Sequence, residues 1–210
     1  MNEVLRLENI SIEFGRHSTE IVPGNISLLA GKMTVLELVL EPAVTQIIMG
    51  DCKILSGSGT LLGYPLVGLS SRRRRELLRK IGFISASDLL IDDMNLHDFL
   101  ELPLAIAGLS RSQRSRRIRV TLAELGLTLQ GSRPLNELDT SGRRLASVAQ
   151  ALIKSPAVII GEIRPDDFDQ GIVVPMLKKY ILHGGSVLAF GVVQPIAQPA
   201  AEEEQFAPAH

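Results

Sequence analysis

The sequence predicts an α/β protein whose core is a parallel sheet and which carries an inserted helical lobe. Short apolar segments such as "PAVIIGEI" (156–163) and "SVLAFGVV" (186–193) alternate with helical patterns, which is typical of strands buried on both faces. Three helical patterns follow one another between about 95 and 155, which indicates a lobe inserted between two strands. Hydrophobic residues make up 45% of the chain and aromatic residues only 4%, an aliphatic balance that suits such a sheet.

Composition and charge narrow the classes of function. The net charge of −1 over 210 residues gives no global field that favours nucleic acid or an anionic membrane. No apolar run approaches the roughly 20 residues that span a bilayer, and no signal-peptide core is present, so we expect a cytoplasmic location. The single Cys52 fits a reducing compartment. The four histidines are scattered without ligand spacing, which predicts no metal site.

Alternation and turn residues define the N-terminal elements. Residues 3–15 alternate apolar and polar side chains, as an edge strand with one exposed face does. Residues 24–40 predict a strand, a turn at Gly31-Lys32 and a buried strand. Residues 54–66 are rich in turn formers and predict a short hairpin.

Capping residues and apolar stripes define the later elements. Ser110 is a predicted N-cap, and Ile118, Leu122 and Leu125 form one apolar helix face behind it. Residues 196–210 are rich in Pro, Ala and Glu, which predicts disorder. The predicted elements are helix 70–81, strand 81–85, helices 95–108, 111–126 and 141–155, strand 156–163, a helix within 172–185 that begins or is interrupted near Pro175, and strand 186–193.

The stretch "LELVLEPAVTQIIMG" (36–50) has the frame of a phosphate-binding site without its chemistry. Residues 35–40 predict a buried strand, and a helix could begin at Gln46. A strand, a tight loop and a helix can cradle phosphate on backbone N–H groups, with glycines for close approach and a lysine for the charge. The connection 41–45 has no glycine and no lysine, and it begins with a glutamate that would repel phosphate.

The order of these elements resembles the nucleotide-binding subunit of an ABC transporter over residues 4–193. "LRLENISIEFG" resembles the opening strand, and "LNELDTSGRRLASVAQALIKSPAVIIGEI" resembles the signature helix running into the Walker B strand. The resemblance implies an ABC-type (RecA-like) domain over 1–195, with an antiparallel edge subdomain and a helical lobe at about 87–155. Within the family, "DDMNLHDFLELPL" is most similar to ATPases of MCE-type (Mla-like) phospholipid transporters, followed by lipoprotein-releasing and cell-division ATPases.

Several positions depart from the pattern of the family. With the flanking glycines held in register, the phosphate loop is about three residues short, so no Lys or Ser/Thr can be placed. Ala86 stands at the glutamine position, Gly161 at the Walker B aspartate and Val192 at the switch histidine. Glu162 matches the general base, but without phosphate donors and magnesium it has nothing to act on. The resemblance therefore implies a chain that hydrolyses no ATP and uses no cofactor, in which Glu162 is a relic or a strand-end carboxylate bonded to a helix N-terminus.

The segment "LDTSG" (138–142) stands at the signature loop, which in an ABC dimer faces the ATP of the partner subunit. Ser141 and Gly142 could contact that nucleotide if the loop is shifted in register. Without a shift, Asp139 replaces the family's serine and repels phosphate. Helix capping by Asp139, Thr140 or Ser141 is the alternative.

The resemblance also implies contacts with nucleotide and with other subunits. Phe14 matches the aromatic that stacks on adenine, although a strand Phe is more often core. Asp166, Asp167 and Asp169 follow the Walker B strand, where an interface is favoured over a metal site and a simple acidic turn is the alternative. The interface residues expected in the complex are Leu138, Asp139, Thr140, Ser141, Gly142 and Asp169 towards a partner ATPase, and Leu89, Leu90 and Met94 towards a permease.

The function implied is that of a non-catalytic subunit. It would pair with an active ABC ATPase as a heterodimer, couple to transmembrane permease subunits, and take part in phospholipid transport without contacting nucleic acid. It would be cytoplasmic and peripheral to the inner membrane through the complex. Two alternatives stand beside it. One is an unorthodox ATPase of lipoprotein-release or cell-division type that uses Glu162 and Lys32, and the other is a free-standing ABC-shaped binding module.

Overall fold

The computed structural model describes residues 2–14, 18–22, 24–84, 93–164, 167 and 173–191. These ranges contain nine strands in two sheets and six α-helices. The strands are Glu3–Phe14 (β1), Ser18–Ile21 (β2), Ile26–Leu29 (β3), Met33–Glu37 (β4), Lys53–Leu61 (β5), Tyr64–Pro65 (β6), Ile81–Ile84 (β7), Val158–Glu162 (β8) and Ser186–Gly191 (β9). The helices are Glu41–Met49 (α1), Ser71–Leu78 (α2), Leu96–Ile106 (α3), Arg111–Glu124 (α4), Thr140–Leu152 (α5) and Val173–Leu182 (α6).

The first sheet is antiparallel and has five strands, with β1 in its interior. β5 pairs along one side of β1, while β2 and β3 pair along the other side. The predicted edge position of β1 is therefore wrong, because its alternation arises from one face packing on the core and not from a missing neighbour. The predicted hairpin is confirmed as β5 and β6, joined by Leu62 and Gly63, which both have positive φ as a two-residue hairpin turn requires.

A bulge in β1 shifts the parity of its buried residues. Leu5 and Leu7 point into the core at odd positions, and Ile10 and Ile12 do so at even positions. The shift occurs at Asn9, whose φ is +47°, and the pairing register with β5 breaks there. An extra residue in one strand restores core contact after a change of parity, so β1 buries one face from Leu5 to Ile12.

The second sheet is parallel and has the strand order β4-β9-β8-β7. β9 is fully buried, and β8 is buried except for its last residue, as their unbroken apolar sequences predict. β4 is only half-buried because it forms the edge of this sheet, so the prediction of a buried strand there is wrong. β8 pairs in parallel with β7 on one side and with β9 on the other, as the α/β prediction of a parallel sheet requires.

Three groups of buried apolar side chains hold the layers together. The first lies between the two sheets and includes α1, the second fills the helical lobe, and the third covers the other face of the parallel sheet under α5 and α6. Representative members are Leu7, Ile48 and Phe190 in the first group, Phe99, Leu122 and Ala149 in the second, and Ile159, Val148 and Leu177 in the third. The parallel sheet is thus covered on both faces, while the helical lobe has a core of its own.

The helical lobe consists of α3, α4 and α5. Asn95 caps α3 by accepting from the N–H of Asp98, and Ser110 forms a capping box with Gln113 at the start of α4. The predicted apolar face of α4 is confirmed, since Ile118 and Leu122 are buried. Among the described residues, no helix has the length and apolar character needed to cross a membrane.

Candidate functional site at the carboxyl edge of the parallel sheet

The connection from β4 to α1 differs from the predicted strand, loop and helix. β4 ends at Glu37, residues 38–40 form a single turn of 3₁₀ helix, and α1 begins at Glu41. The expectation of a strand over 35–40 and a helix from Gln46 is therefore wrong. Proline in the first turn of α1 explains the early start, since a proline there needs no N–H donor and has the helical φ.

This connection offers little to a phosphate group. The N–H of Glu41 is already donated to the carbonyl of Leu38, and the carboxylate of Glu41 accepts the hydroxyl of Thr45 at 3.1 Å. Leu38 and Val39 are 46% and 71% exposed. The surface at this point therefore consists of apolar side chains flanked by carboxylates, where phosphate recognition requires converging N–H groups.

Gly161 lies in β8 where the strand passes close to β7. A Cβ at position 161 would lie 2.4 Å from the carbonyl oxygen of Ile84 and 2.8 Å from its Cβ. Both distances are well below van der Waals contact, so the backbone pairing leaves no room for a side chain. The sequence shows which residue stands here, but only the structure shows that an aspartate would not fit.

Glu162 ends β8 and its carboxylate is occupied by a neighbouring arginine. Nε of Arg164 donates to Glu162 Oε1 at 3.1 Å, and both side chains are about three-quarters buried. The alternative expectation, a bond to a helix N-terminus, is wrong because the partner is a guanidinium from the same loop. The backbone carbonyl of Glu162 accepts a second arginine, Arg144, at 2.6 Å.

Arg144 of α5 forms a buried ion pair that sequence reasoning missed. Its Nε donates to Asp167 Oδ1 at 2.8 Å, and the two residues are only 6% and 3% exposed. Asp167 also accepts the N–H of Arg164 at 2.8 Å. The expected interface role of Asp167 is therefore wrong, because its carboxylate faces the interior of its own chain. Nη1 of Arg144 is buried and has no hydrogen-bond partner in the described part of the chain.

The segment 138–142 contains the N-cap of α5, which is Asp139. Asp139 Oδ1 accepts the N–H of Gly142 at 2.7 Å, which confirms the capping alternative. The carboxylate therefore lies at the helix N-terminus that would otherwise face an anion. Thr140 is exposed and Ser141 is half-buried. Leu138 is 8% exposed within the helical-lobe core, so its expected role in an interface is wrong for its side chain.

The remaining predicted residues are only partly within the described ranges. Met94 is half-buried against the helical-lobe core, and its carbonyl accepts the N–H of Leu135. The backbone of Phe14 belongs to β1, but its side chain is outside the description. The other predicted positions outside the described residues are Ala86, Leu89, Leu90, Asp166, Asp169, Val192 and residues 196–210.

A group with metal-ligand atoms occurs at the start of α3, where the histidine spacing alone gave no signal. The ligand atoms of His97, Asp98 and Glu101 lie within 4.8 Å of one another. Two of the three already serve the fold, because Asp98 accepts the amide of Asn95 and Glu101 pairs with Arg114 at 2.7 Å. An ion here would have to displace a short guanidinium–carboxylate contact, so the geometry favours the ion pair.

Comparison with solved structures identifies the fold. A structure of an ATP-binding subunit of an ABC transporter superposes with a TM-score of 0.71 at 17% identity, covering 90% of this chain and 80% of that one. CbiO1 from Clostridium perfringens superposes with a TM-score of 0.76 at 15% identity, covering 92% and 80%. The dimeric ATP-binding cassette MJ0796, bound to ADP and Pi, gives 0.72 at 19% identity, covering 90% and 88%. The chain therefore has the ABC ATPase fold, and the predicted fold class is confirmed.

Comparison of sequences gives the same class. No family model matches the chain. The ABC transporter ATP-binding protein YtrE of Bacillus subtilis is 26% identical over 162 residues, which are 77% of this chain and 65% of YtrE. The cell division ATP-binding protein FtsE of Escherichia coli is 25% identical over 189 residues, 84% of this chain and 81% of FtsE. The methionine import ATP-binding protein MetN of Corynebacterium diphtheriae is 30% identical over 107 residues, 51% of this chain and 32% of MetN.

All three relatives are thus named as ATP-binding proteins, and YtrE is named as one of an ABC transporter. The chain spans less than two thirds of the length of YtrE and about a third of MetN. The comparisons therefore show the ABC ATPase fold for this chain.

Proposed function

We propose that the chain is a non-catalytic ABC ATPase-like subunit that pairs with an active ATPase subunit and couples it to a membrane permease. The observation that carries the proposal is the connection from β4 to α1. Residues 38–40 form a 3₁₀ turn that passes directly into the helix, with no loop between them. A nucleotide has no cradle of N–H groups to occupy on such a surface.

Two further features support a non-catalytic role. Gly161 has no space for the carboxylate that would hold magnesium, since its Cβ position is taken by Ile84 of β7. Glu162 is paired with Arg164, so its carboxylate would first have to leave a guanidinium before it could accept a proton from water.

The face that would meet the ATP of a partner subunit also carries negative charge. Asp139 caps the N-terminus of α5, and its carboxylate would lie towards the phosphate of a nucleotide held by the partner. We therefore expect Ser141 and Gly142 to contribute no phosphate contact in trans. Exposed Leu38 and Val39 supply the chain with an apolar surface for pairing that needs no nucleotide between the subunits.

The cargo and the location follow from the sequence resemblance alone. A phospholipid transporter remains the expected complex, with the chain on the cytoplasmic side of the inner membrane and bound through a permease. MetN and FtsE are named for methionine import and cell division, and the name of YtrE states no transported molecule. The transported molecule therefore has to come from the permease that is recovered with the chain.

An unorthodox ATPase built on Lys32 and Glu162 is not favoured. Lys32 precedes β4 at the amino edge of the parallel sheet, while Glu162 ends β8 at the carboxyl edge. The strand register places them four residues apart along the strands, roughly 13 Å, with β9 between their two strands. One phosphate group cannot contact both side chains at that separation.

The proposal is tested by recovering the tagged chain from detergent-solubilised native membranes and assaying the recovered material for ATPase activity. We expect an intact ABC ATPase and a permease to be recovered, with activity that depends on the partner's own phosphate-loop lysine. Magnesium-dependent ATP turnover by the purified chain alone would contradict the non-catalytic role. Recovery of the chain with neither partner would instead indicate the free-standing binding module.

A matched pair of variants connects the result to the surface at 38–39. Val39→Asp replaces an exposed apolar side chain at the proposed contact, and Leu129→Asp does the same at a position that is 92% exposed elsewhere. Both are expected to fold normally because neither side chain is buried. Only Val39→Asp should reduce recovery of the ATPase; equal recovery from both variants would place the pairing surface elsewhere.

A further inference from the structure

A groove of about 1220 Å³ lies at the amino edge of the parallel sheet. α4 forms one wall, α6 forms the other, and residues 152–157 and 184–186 form the floor. Ala157 and Ser186 stand where β8 and β9 begin, whereas residues 38–40 follow the end of β4. The groove and the candidate nucleotide surface are therefore at opposite edges, separated by a strand length of roughly 16 Å.

The floor and inner wall of the groove are apolar. Ile153 is almost fully buried beneath it, Leu109, Leu152 and Met176 are half-buried, and Val120 is 51% exposed from α4. A half-exposed valine beside a concave apolar surface leaves hydrophobic area that a bound side chain could cover.

The rim of the groove carries uncompensated positive charge. Arg116 is exposed and has no hydrogen bond or ion pair with any residue that the structure describes. Arg117 donates only to neutral acceptors, the carbonyl of Ile153 at 3.1 Å and the hydroxyl of Ser155. The remaining pair on the rim, Lys179 and Glu124, is self-neutralised at 3.1 Å. Two guanidinium groups therefore face an apolar groove without a carboxylate.

We propose that this groove binds the acidic segment of the same chain, Glu202, Glu203 and Glu204 followed by Phe206. The sequence "EEEQF" carries three carboxylates next to one aromatic ring, which matches two arginines that have no carboxylate partner among the described residues and lie beside an apolar floor. The glutamates pair with Arg116 and Arg117, and Phe206 packs against Val120. The proposal does not depend on the proposed transporter function.

The chain between Gly191 and this segment is long enough to make the connection. β9 ends at Gly191, at the carboxyl edge, so the segment has to return along the length of one strand, roughly 20 Å. Glu202 is eleven residues further on, which span at most about 36–40 Å when extended. A tether of this length holds the segment at an effective concentration of the order of millimolar, so it competes well with free acidic peptides or anionic lipids.

Occupation of the groove would connect the two parts of the fold. α4 belongs to the helical lobe, and α6 packs on the parallel sheet. The Lys179–Glu124 pair is exposed on both sides and bridges the two walls. A segment bound between these helices adds contacts to both, so it restrains the lobe relative to the sheet.

Disulfide trapping in the full-length chain tests the proposal. In a Cys52→Ser background, the pair Val120→Cys and Phe206→Cys should form an intramolecular disulfide under mild oxidation. Arg116→Glu should slow its formation about fivefold, as expected for loss of an exposed ion pair. Adding Glu202→Lys, Glu203→Lys and Glu204→Lys to Arg116→Glu should restore the rate. Arg116 makes no bond in the described fold, so its substitution leaves stability unchanged.

The control pair is Val39→Cys with Phe206→Cys, because Val39 is 71% exposed at the carboxyl edge from which the segment departs. A segment that binds nowhere would reach Val39 at least as readily as Val120. Equal or faster trapping at Val39 would overturn the proposal, as would a rate at Val120 that ignores the charge at position 116. Disulfide-linked dimers in place of the intramolecular product would also overturn it, by showing that the segment binds another copy.

Discussion

Arg144 and Asp167 form an ion pair that is more than nine-tenths buried and joins α5 to the segment after β8. Both guanidinium nitrogens Nε and Nη2 contact the carboxylate, and Nη2 also donates to the carbonyl of Glu162. One arginine on α5 therefore holds the end of a buried strand and the residues that follow it. The helical lobe and the parallel sheet are connected by charge at this point as well as by apolar packing.

Removing one member of this pair should be strongly destabilising. Asp167→Asn keeps the shape of the side chain but leaves the Arg144 charge buried without its counter-ion, and we expect a loss of about 3–5 kcal/mol in the free energy of unfolding. The double variant Arg144→Met with Asp167→Leu should cost less than the sum of the single changes, since it removes both charges. Urea unfolding measures the cost of Asp167→Asn, of the double variant and of each of its two single changes. The exposed ion pair between Lys179 and Glu124 serves as a control, because Glu124→Gln should cost at most about 1 kcal/mol in unfolding free energy.

Placing an aspartate at Gly161 should destabilise the fold and create no magnesium site. The Cβ of any residue there would lie 2.4 Å from the carbonyl oxygen of Ile84. Gly161→Ala tests the steric part alone and should cost about 1–3 kcal/mol. Gly161→Asp should cost more, because it adds a buried carboxylate. Thermal unfolding with and without magnesium distinguishes the outcomes: stabilisation of the aspartate variant by magnesium would contradict this expectation.

Loss of the cap at Asp139 should weaken α5 by a modest amount. Asp139→Ala leaves the N–H of Gly142 without its acceptor, at a cost of about 1 kcal/mol in unfolding free energy. Asp139→Ser retains a side-chain acceptor and removes the charge, so it should be close to the parent chain in stability. If the serine and alanine variants lose the same stability, the hydrogen bond seen at Gly142 is not what stabilises the helix start.

Tyr180 should make stability depend on pH at the alkaline end. Burial raises the pKa of its phenol to about 12, and the hydroxyl donates to the carbonyl of Pro156 at 2.9 Å. Because the folded state holds the proton more tightly than the unfolded state, this stabilisation is complete below about pH 10 and is lost between about pH 10 and about 12. In a Tyr64→Phe chain, Tyr180 is the single remaining tyrosine, so tyrosinate absorbance follows it directly. Ionisation near pH 10 in the folded chain would contradict the assignment.

Most of the fold could be predicted because its signals are local. The apolar runs of β8 and β9 and the capping box at Ser110 each depend on residues within a few positions of one another. The errors arose where distant partners decide the outcome. β1 is interior because β2, β3 and β5 all pair with it, and β4 is half-buried because it has a single neighbour, β9, in its sheet.

The candidate site was predictable in its residue types but not in their contacts. The absence of glycine and lysine in 41–45 can be read directly from the sequence. The pairing of Arg144 with Asp167 could not be, because the two are 23 positions apart and nothing local marks either one. The contacts of Arg74 could not be predicted either, because it donates to the carbonyls of Ile47, Ile48 and Leu66, which are distant or carry no local signal.

The direct passage from β4 into α1 also bears on how a phosphate loop could arise at this point in evolution. A point mutation alters a side chain and leaves the number of residues between Glu37 and Glu41 unchanged. Formation of a phosphate loop would need an in-frame insertion that separates the strand from the helix, together with a lysine and glycines at the right places. Each such step would disturb the packing of α1 and lower stability before nucleotide binding could add any. Under the proposed function, descendants of the chain should stay without a phosphate loop, and they should vary freely at Leu38 and Val39 only if no partner packs there.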